Sequence, residues 1–355
     1  MNAPARAQRV VVVGGTGNIG TSAIQALEQD AAVGTIVSLS RREPRGAGEK
    51  VQWERADITT DDLAARFAEA DVVIHLAWIF QPTHDPITTW RNNVLGTIRV
   101  CEAVAAAGVR HLVYASSIAA YSPGPHERPV DESWPTHGWP GSAYSREKAY
   151  LERYLDFFEL QHPEMQVTRM RTAFCFKPES ASQQRRLFMG PLVINRLVRP
   201  DLLPALPTPS GMRFQAVHSD DVGEAYRLAA LSSSSGAFNV AAEPLIDARV
   251  LGELLGTHTM ALPSQVARSA LSTAWKLHLV PASPDLFDAF LRLPIMDTSR
   301  AREELGWTPR RSSTEAVADF LRGLQKAAGG STPPLKRRAR GGRIREFATG
   351  VGQRQ

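Results

Sequence analysis

The sequence predicts an α/β fold with a doubly wound parallel sheet, and two observations support this prediction. Strand-like apolar runs alternate with segments of helical spacing through residues 1–175 of the 355-residue chain. The first run, residues 10–13, consists of four consecutive valines, as expected for a strand that is buried on both faces. A glycine-rich turn at 14–20 follows it and leads into a helical segment at 19–29. A strand, a glycine turn and a helix in this order open a sheet of the Rossmann type.

The remaining elements continue this alternation and then lose it. Further strands are predicted at 35–39, 51–54, 72–76, 110–115 and 166–170, and helices at 61–70, 87–107 and 142–161. In the second half, a helix at 220–231 and a short strand at 238–240 are the clearest elements. We therefore expect a dinucleotide-binding domain at 1–175, to which elements from 215–245 return. A smaller, mainly helical substrate-binding region is expected at 176–328.

The charge of the chain is concentrated at its C-terminal end. The formal net charge is +5, but residues 329–355 hold seven Lys or Arg and one acidic residue, so the rest of the chain is close to neutral. Glycine and proline punctuate this basic segment, which predicts a disordered tail. We expect no specific nucleic-acid partner, since a solvated tail explains the charge.

The composition also bears on the cellular setting. No apolar run reaches the roughly 18–20 residues that a membrane span requires, so we expect no membrane partner. Cys101 and Cys175 each lie within an apolar pattern, which favours buried free thiols and a reducing cytoplasm. The nine histidines show no metal-ligand spacing, and we expect no metal.

The glycine-rich turn predicts a phosphate-binding site. Gly14, Gly17 and Gly20 lack the Cβ that would keep the backbone away from a pyrophosphate. Asn18 and Ile19 begin the helix that follows, whose N-terminus offers N–H groups and a partial positive charge. We therefore expect a dinucleotide cofactor at this turn.

A tyrosine and a lysine predict proton-transfer chemistry. Tyr144 and Lys148 are four residues apart on a predicted helix and therefore share a face. An ammonium close to a phenol stabilises the phenolate and lowers the pKa of the phenol from about 10. Ser117 lies just after the strand predicted at 110–115, where its hydroxyl can bind a substrate oxygen. Glu152, further along the same helix, is expected on a solvated face.

The end of the second strand bears on the choice of cofactor. NAD sites usually have an acidic residue here, whereas this chain has Ser40 followed by Arg41 and Arg42. Guanidinium groups suit a 2′-phosphate, so the sequence favours NADP over NAD. The alternative is a pair of solvated arginines in a surface turn.

Together these motifs resemble the extended short-chain dehydrogenase/reductases, which include the NAD-dependent epimerase/dehydratase group. The resemblance covers about residues 9–325. Besides the glycine turn, Ser117 and Tyr144-x-x-x-Lys148, it rests on Asp57 and on four further segments: His75-Leu76-Ala77-Trp78, Asn93-Val94-Leu95-Gly96-Thr97, Val217-His218-Ser219-Asp220-Asp221-Val222 and Leu305-Gly306-Trp307-Thr308-Pro309.

The resemblance implies a role for each matching residue. It implies that Ser117 binds substrate, that Tyr144 is the acid/base, and that Lys148 lowers the pKa of Tyr144 and binds the nicotinamide ribose. The cofactor site that it implies, with the glycine turn and the two arginines, consists of Gly14, Gly17, Asn18, Ile19, Gly20, Arg41, Arg42, Asp57, Ile58, Leu76, Ala77, Trp78, Asn93, Tyr144 and Lys148. It also suggests a homodimer through the helices at 87–107 and 142–161.

Two departures from the family's pattern narrow the activity. Ile118 and Ala119 follow Ser117 where the family's dehydratases have acidic residues, so elimination of water is disfavoured. Phe214 stands four residues before His218, where sugar-nucleotide epimerases usually have an arginine.

The leading hypothesis is an NAD(P)-dependent oxidoreductase that acts on a secondary alcohol or ketone as its small-molecule substrate. Two alternatives stay open. One is a sugar-nucleotide 4-epimerase with tightly bound NAD, and the other is a non-catalytic, NADP-sensing regulator.

Overall fold

Seven parallel strands form the central sheet, in the order β10-β6-β5-β4-β1-β2-β3. The computed structural model describes residues 6–44, 48–125, 127–191, 205–337 and 351–352. The strands of this sheet are β1 (Gln8–Val13), β2 (Val33–Ser40), β3 (Val51–Arg55), β4 (Val72–His75), β5 (His111–Ala115), β6 (Gln166–Thr172) and β10 (Gly236–Val240). The strand order reverses between β1 and β4, where open α/β sheets hold their ligands.

The helices of the first half are α1 (Asn18–Glu28), α2 (Ala64–Phe67), α3 (Pro86–Trp90), α4 (Gly96–Ala106) and α5 (Ala143–Gln161). Two of them differ from the sequence prediction. The helix expected at 61–70 is a single turn, because Asp57, Thr60 and Asp61 form a hydrogen-bonded turn before it. The helix expected at 87–107 contains a π-helical turn, Arg91–Leu95, between α3 and α4.

The second half adds α6 (Ala181–Gln184), α7 (Ser219–Leu231), α8 (Ala248–Leu255), α9 (Ser264–Lys276), α10 (Pro284–Phe290), α11 (Ser299–Leu305) and α12 (Ser313–Gln325). It also contains two small sheets that the sequence did not predict. One joins β7 (Phe174–Phe176), β9 (Arg213–His218) and β11 (Ala242–Asp247), and the other joins β8 (Ala205–Pro209) and β12 (His258–Leu262).

The core lies on both faces of the central sheet. Val10 and Val12 pack on one face and Val11 and Val13 on the other, and none of the four is more than 1% exposed. This explains why β1 is continuously apolar. On the first face α7 packs against α1 so closely that a Cβ at Gly223 would lie 2.5 Å from the carbonyl of Ser22. α7 thus packs on the sheet and β10 forms its edge, although both lie late in the sequence.

The described part of the C-terminal segment is packed, which corrects the expectation of a disordered tail for residues 329–337 and 351–352. Thr332, Leu335 and Val351 are each at most 5% exposed. The hydroxyl of Thr332 donates a hydrogen bond to the carbonyl of Thr16 at 2.8 Å. Residues 338–350 and 353–355, which hold most of the tail's positive charge, lie outside the described residues.

Candidate active site

A cleft of about 1700 Å³ opens at the carboxyl ends of the central strands. This exceeds the roughly 300–1,000 Å³ of a typical small-ligand pocket, so there is room for a cofactor and a substrate together. The sixteen residues predicted from the sequence all line this cleft: Gly14, Gly17, Asn18, Ile19, Gly20, Arg41, Arg42, Asp57, Ile58, Leu76, Ala77, Trp78, Asn93, Ser117, Tyr144 and Lys148.

Each of the three glycines of the turn is explained by a different structural feature. Gly14 has φ +92°, and a Cβ there would lie 2.6 Å from the backbone nitrogen of Ala77. A Cβ at Gly20 would lie 2.5 Å from the carbonyl oxygen of Gly14. Gly17 is different, because the nearest atom to its Cβ position is 3.6 Å away. The fold itself therefore requires Gly14 and Gly20, whereas Gly17 leaves open space in front of the turn.

The N-terminus of α1 faces that space. Gly17 is the N-cap of α1, and no side chain caps the first turn. Asn18 instead uses its side chain within the protein, since its amide donates to the carbonyl of Cys175 at 3.0 Å and accepts from the hydroxyl of Ser219 at 3.0 Å. The first N–H groups of α1 thus have no capping side chain, which suits an anionic ligand.

One end of the cleft is the end that the family resemblance assigns to adenosine, and it has both positively and negatively charged side chains. Arg41 and Arg42 follow β2 and are exposed. Asp57 follows β3, and its Oδ1 accepts hydrogen bonds from the amide and the hydroxyl of Thr59 at 2.9 and 2.6 Å. This turn fixes the carboxylate beside Ile58 at the edge of the cleft.

Ser117 and Tyr144 both line the cleft. Burial raises the pKa of Tyr144 to about 12, although the hydrogen bond with the Ser117 side chain acts in the opposite direction. Ser116, the neighbour of Ser117, turns away and donates to Glu152 at 2.5 Å. Consecutive residues at the end of β5 thus place one hydroxyl in the cleft and one in the protein interior.

Lys148 lies on the same helix, and its ammonium contacts the end of β5 and the ring of Trp78. Its Nζ donates to the carbonyl of Ala115 at 2.6 Å and lies 3.5 Å from the ring centroid of Trp78. Burial dominates the pKa of Tyr144 in this structure, and the effect of Lys148 on that pKa stays a prediction. A shared helix face does not fix where a four-carbon side chain ends. Burial lowers the pKa of Lys148 itself to about 7, although the neighbouring carboxylates of Glu147 and Glu152 act to raise it.

The side chain of Asn93 holds the loop that contains Trp78 in position through hydrogen bonds. Its side chain exchanges two hydrogen bonds of 2.9 Å with the backbone of Ile79, and its amide also donates to Glu147 at 2.8 Å. Glu147 is 2% exposed and accepts a further hydrogen bond from Thr89, and burial raises its pKa. Asn93 lines the cleft, yet its side-chain hydrogen bonds position the protein loop.

Glu152 was expected on a solvated helix face, and the structure corrects this, since its exposure is 0%. Its carboxylate accepts hydrogen bonds from Arg171 at 2.8 and 3.0 Å and from Arg169 at 3.2 Å. Burial opposes ionisation, but the two guanidinium groups outweigh it and lower the pKa of Glu152 to about 2. The available signal was a pair of arginines two residues apart: Arg169 lies in the strand predicted at 166–170, and Arg171 follows it directly. Arginines that are buried need an acidic partner.

The second half of the chain supplies an apolar wall that sequence analysis did not predict. The rings of Phe174, Phe214 and Phe290, from β7, β9 and α10, contact one another with centroids 5.4–5.8 Å apart. Phe80 stacks on Tyr144 with centroids 5.0 Å apart. These residues come from segments far apart in the sequence, so no local pattern marks them.

Two kinds of feature are absent from the described residues. Within the described ranges there is no cluster of three or more His, Cys, Asp or Glu residues that could hold a metal ion. Among the helices that the structure describes, none has both the length and the apolar character to span a bilayer.

A doubly wound sheet with a glycine turn and this cleft at its carboxyl edge defines a dinucleotide-binding α/β protein. The chain belongs to the NAD dependent epimerase/dehydratase family, whose model matches residues 10–241, and it is an enzyme of that family. This confirms the fold class and the family predicted from the sequence.

Similar proteins extend the match beyond the family model. The UDP-glucose 4-epimerase of Mycolicibacterium smegmatis is 28% identical over 326 residues, covering 87% of this chain and 96% of that protein. An uncharacterized protein of Mycobacterium tuberculosis is 25% identical over 327 residues, covering 88% and 83%. The Thermus thermophilus UDP-glucose 4-epimerase in complex with NAD has a TM-score of 0.67 at 22% identity, covering 90% of this chain and all of that one. This last likeness bears on the fold.

Proposed function

We propose that this enzyme is an NAD(P)-dependent oxidoreductase that interconverts a secondary alcohol and a ketone. The observation that carries the proposal is that two hydroxyl-bearing side chains, Ser117 and Tyr144, line the same cleft as the glycine turn. A phenol and a serine hydroxyl can hold one substrate oxygen between them. Sequence resemblance assigns the same two residues to this task.

The residues of the cleft fit a nicotinamide dinucleotide. The space in front of Gly17 and the uncapped N-terminus of α1 suit the pyrophosphate. We assign Asp57 and Ile58 to the adenine and Lys148 to the nicotinamide ribose. Arg41 and Arg42 favour NADP, because an exposed guanidinium pair suits a 2′-phosphate.

The proposed proton transfer follows from the pair of hydroxyls. When bound, the nicotinamide ring supplies the carbon that accepts or gives a hydride. In ketone reduction, the phenol of Tyr144 donates its proton to the substrate oxygen, and in alcohol oxidation the phenolate takes the proton back. Ser117 hydrogen-bonds the same oxygen and orients it. Lys148 is a positioning group, since its ammonium is anchored on the carbonyl of Ala115 at the end of β5.

A panel of alcohols and ketones tests this proposal through the absorbance of the reduced nicotinamide. The wild type is compared with Tyr144→Phe and with Tyr150→Phe, a control on the exposed side of the same helix. Loss of the general acid/base is expected to lower kcat/KM by roughly 10²–10⁴-fold. Cofactor affinity is expected to stay within about twofold, because the phenyl ring remains.

Three results would count against the proposal. Full turnover by Tyr144→Phe removes the acid/base role. Loss of turnover in Tyr150→Phe means that the effect is not specific to the cleft. Tight NADP binding without hydride transfer to any member of the panel supports instead the third hypothesis, a non-catalytic NADP sensor.

Sugar-nucleotide 4-epimerisation is the second candidate, favoured by the relatives. The epimerase of M. smegmatis aligns over 96% of its length, and the family is NAD dependent. Such an enzyme would use the same Ser117, Tyr144 and Lys148 with NAD retained between turnovers. Conversion of UDP-glucose to its 4-epimer without added NAD(P), by protein that copurifies with NAD, would favour this candidate.

We also propose a homodimer through α4 and α5 and a cytoplasmic location. Leu95, Phe157 and Leu160 are 46–81% exposed, and apolar residues of this size are favoured at interfaces. Light scattering of the wild type and of Leu160→Asp measures whether a dimer exists and is lost. The two free thiols, Cys101 and Cys175, are consistent with a reducing compartment.

A further inference from the structure

The part of the cleft that is formed by the second half of the chain is walled by aromatic and aliphatic side chains. Phe174, Phe214 and Phe290 form one cluster, and Phe176 packs on Phe320 with centroids 4.8 Å apart. All five rings line the cleft. Phe320 is only 6% exposed, whereas the rings of Phe174, Phe176, Phe214 and Phe290 are only partly buried by the protein. Their free faces are therefore apolar surface that a ligand can cover.

This surface reaches the proposed reacting group. Phe80 stacks on Tyr144 with an interplanar angle of 25°, and Phe188 meets Phe80 edge-on with centroids 5.3 Å apart. Trp78 contacts Tyr144 from another side, with centroids 5.6 Å apart. A substrate whose oxygen lies at Tyr144 therefore has its carbon skeleton among aromatic rings.

The charged groups of the cleft are unevenly distributed. Of the described lining residues, Arg41, Arg42, Glu43 and Asp57 follow the ends of β2 and β3, at the end of the cleft that we assign to adenosine. Beyond Lys148, the remaining charged side chains are Arg186 and Lys336.

Three of the polar side chains on the substrate side, those of Arg186, Gln184 and Gln81, donate hydrogen bonds to the protein. The guanidinium of Arg186 donates to the carbonyls of Pro334 and Lys336 at 2.8 and 3.1 Å. The amide of Gln184 donates to the carbonyl of Cys175 and the hydroxyl of Ser180, and the amide of Gln81 donates to the carbonyl of Arg186. A diphosphate placed against the rings of Phe174, Phe214 and Phe290 would exchange water for aromatic carbon, which is unfavourable.

We propose that the substrate is an apolar secondary alcohol or ketone, with an aliphatic or aromatic skeleton and no phosphate. This inference rests on the proposed function, since it takes Tyr144 as the group that holds the substrate oxygen. It separates this enzyme from a nucleotide-sugar enzyme by the chemistry of the wall. Apolar burial then supplies the binding energy, in proportion to the carbon surface covered.

Binding can be measured without turnover. The full-length wild type is loaded with the oxidised cofactor and titrated calorimetrically with methyl ketones from 2-butanone to 2-octanone, because two oxidised partners cannot exchange a hydride. Kd is expected to fall roughly fourfold for each added methylene. UDP and UDP-glucose are titrated in parallel, and no binding is expected at millimolar concentration.

Matched variants locate the site. Phe214→Ser and Phe290→Ser are expected to raise the Kd of 2-octanone by roughly tenfold or more and that of 2-butanone much less. Leu277→Ser, an exposed apolar residue outside the cleft lining, is the control and should change neither value. Unchanged cofactor affinity shows that each variant is folded, and the wild-type series is informative without any variant.

The outcomes separate this inference from the proposed function. A Kd that does not depend on chain length, or UDP-glucose binding tighter than that of 2-octanone, overturns the inference. Chain-length-dependent binding without hydride transfer from reduced cofactor to any ketone overturns the proposed function and leaves the apolar pocket established.

Discussion

The two ends of the cleft are built on different physical principles. At the nucleotide end, the wall is backbone, and Gly14 and Gly20 are required because a Cβ would collide with main-chain atoms 2.5–2.6 Å away. At the substrate end, the wall is made of side chains such as Phe174, Phe214 and Phe290. Backbone requirements restrict the choice of residue far more than an apolar surface does.

This difference explains which end can change its ligand. Replacing one ring of the apolar wall alters the shape of the pocket, whereas replacing a glycine of the turn alters the path of the chain. The buried ion pairs of Glu152 with Arg169 and Arg171 also restrict the choice of residue, because a buried charge needs a partner of opposite charge. The following predictions test this contrast, from the largest expected effect to the smallest.

Glu152→Gln should cause the largest loss of stability. It leaves the buried guanidinium of Arg171 without its carboxylate partner, whereas Arg169 keeps Asp156 and Glu159. Removing one partner of a buried ion pair typically costs about 3–5 kcal/mol. The pKa of Glu152 is lowered from 4.5 to about 2, so its stabilising contribution is complete above pH 4.5 and is lost as the pH falls toward 2.

Urea denaturation at several pH values measures this effect. The difference between wild type and Glu152→Gln should therefore shrink on acidification. Glu253→Gln, which breaks an exposed ion pair with Arg249, should behave like the wild type. A constant difference at all pH values would show that the carboxylate of Glu152 is not the cause.

Gly14→Ala should destabilise the fold by roughly 2–5 kcal/mol, because the positive φ and the contact with Ala77 both oppose a Cβ. Gly108→Ala is the control, since Gly108 has φ +70° and open space around its Cβ position. The control isolates the backbone cost, and thermal unfolding compares the two. Equal losses would mean that the collision with Ala77 is relieved at little cost.

Gly17→Ala should lower cofactor affinity without lowering the stability of the fold. The nearest protein atom to its Cβ is 3.6 Å away, so the melting temperature should stay close to that of the wild type. Cofactor affinity should fall roughly 10- to 100-fold, as when one or two charge-assisted hydrogen bonds are lost. Fluorescence titration with reduced cofactor measures it, and unchanged affinity would exclude pyrophosphate from the space at Gly17.

Arg41→Ala should change the selectivity between cofactors and little else. Arg41 is exposed, so the expected rise in KM for NADP is only about tenfold, with KM for NAD unchanged. Arg249→Ala, on the exposed side of α8, is the control. Equal KM values for NAD and NADP in the wild type would contradict the preference for NADP.

Thr332→Val should have the smallest effect. It removes the hydrogen bond to the carbonyl of Thr16 that ties the C-terminal segment to the glycine turn. We expect cofactor dissociation to accelerate roughly two- to tenfold, as for the loss of one neutral hydrogen bond. Thr273→Val removes a comparable bond on exposed α9 and should leave the stopped-flow dissociation rate unchanged.

Local patterns predicted the sheet and part of the cleft, and the family resemblance supplied further cleft residues such as Asp57 and Asn93. Four valines mark β1, and Tyr144 and Lys148 follow from a helical spacing. The sequence did not predict where the ammonium of Lys148 lies, because a flexible side chain ends at the carbonyl of Ala115 only when β5 is beside it. Glu152 was missed for a similar reason, since its burial depends on arginines 17 and 19 residues away.

The sequence by itself determined the dinucleotide-binding half, since a glycine turn between a buried strand and a helix meets a backbone requirement within a few residues. Only the tertiary structure decided the rest: the apolar wall from β7, β9 and α10, and the packing of Thr332 on the glycine turn. These features join residues that lie tens to hundreds of positions apart, and an apolar or hydroxyl side chain has no local spacing that indicates its distant partner.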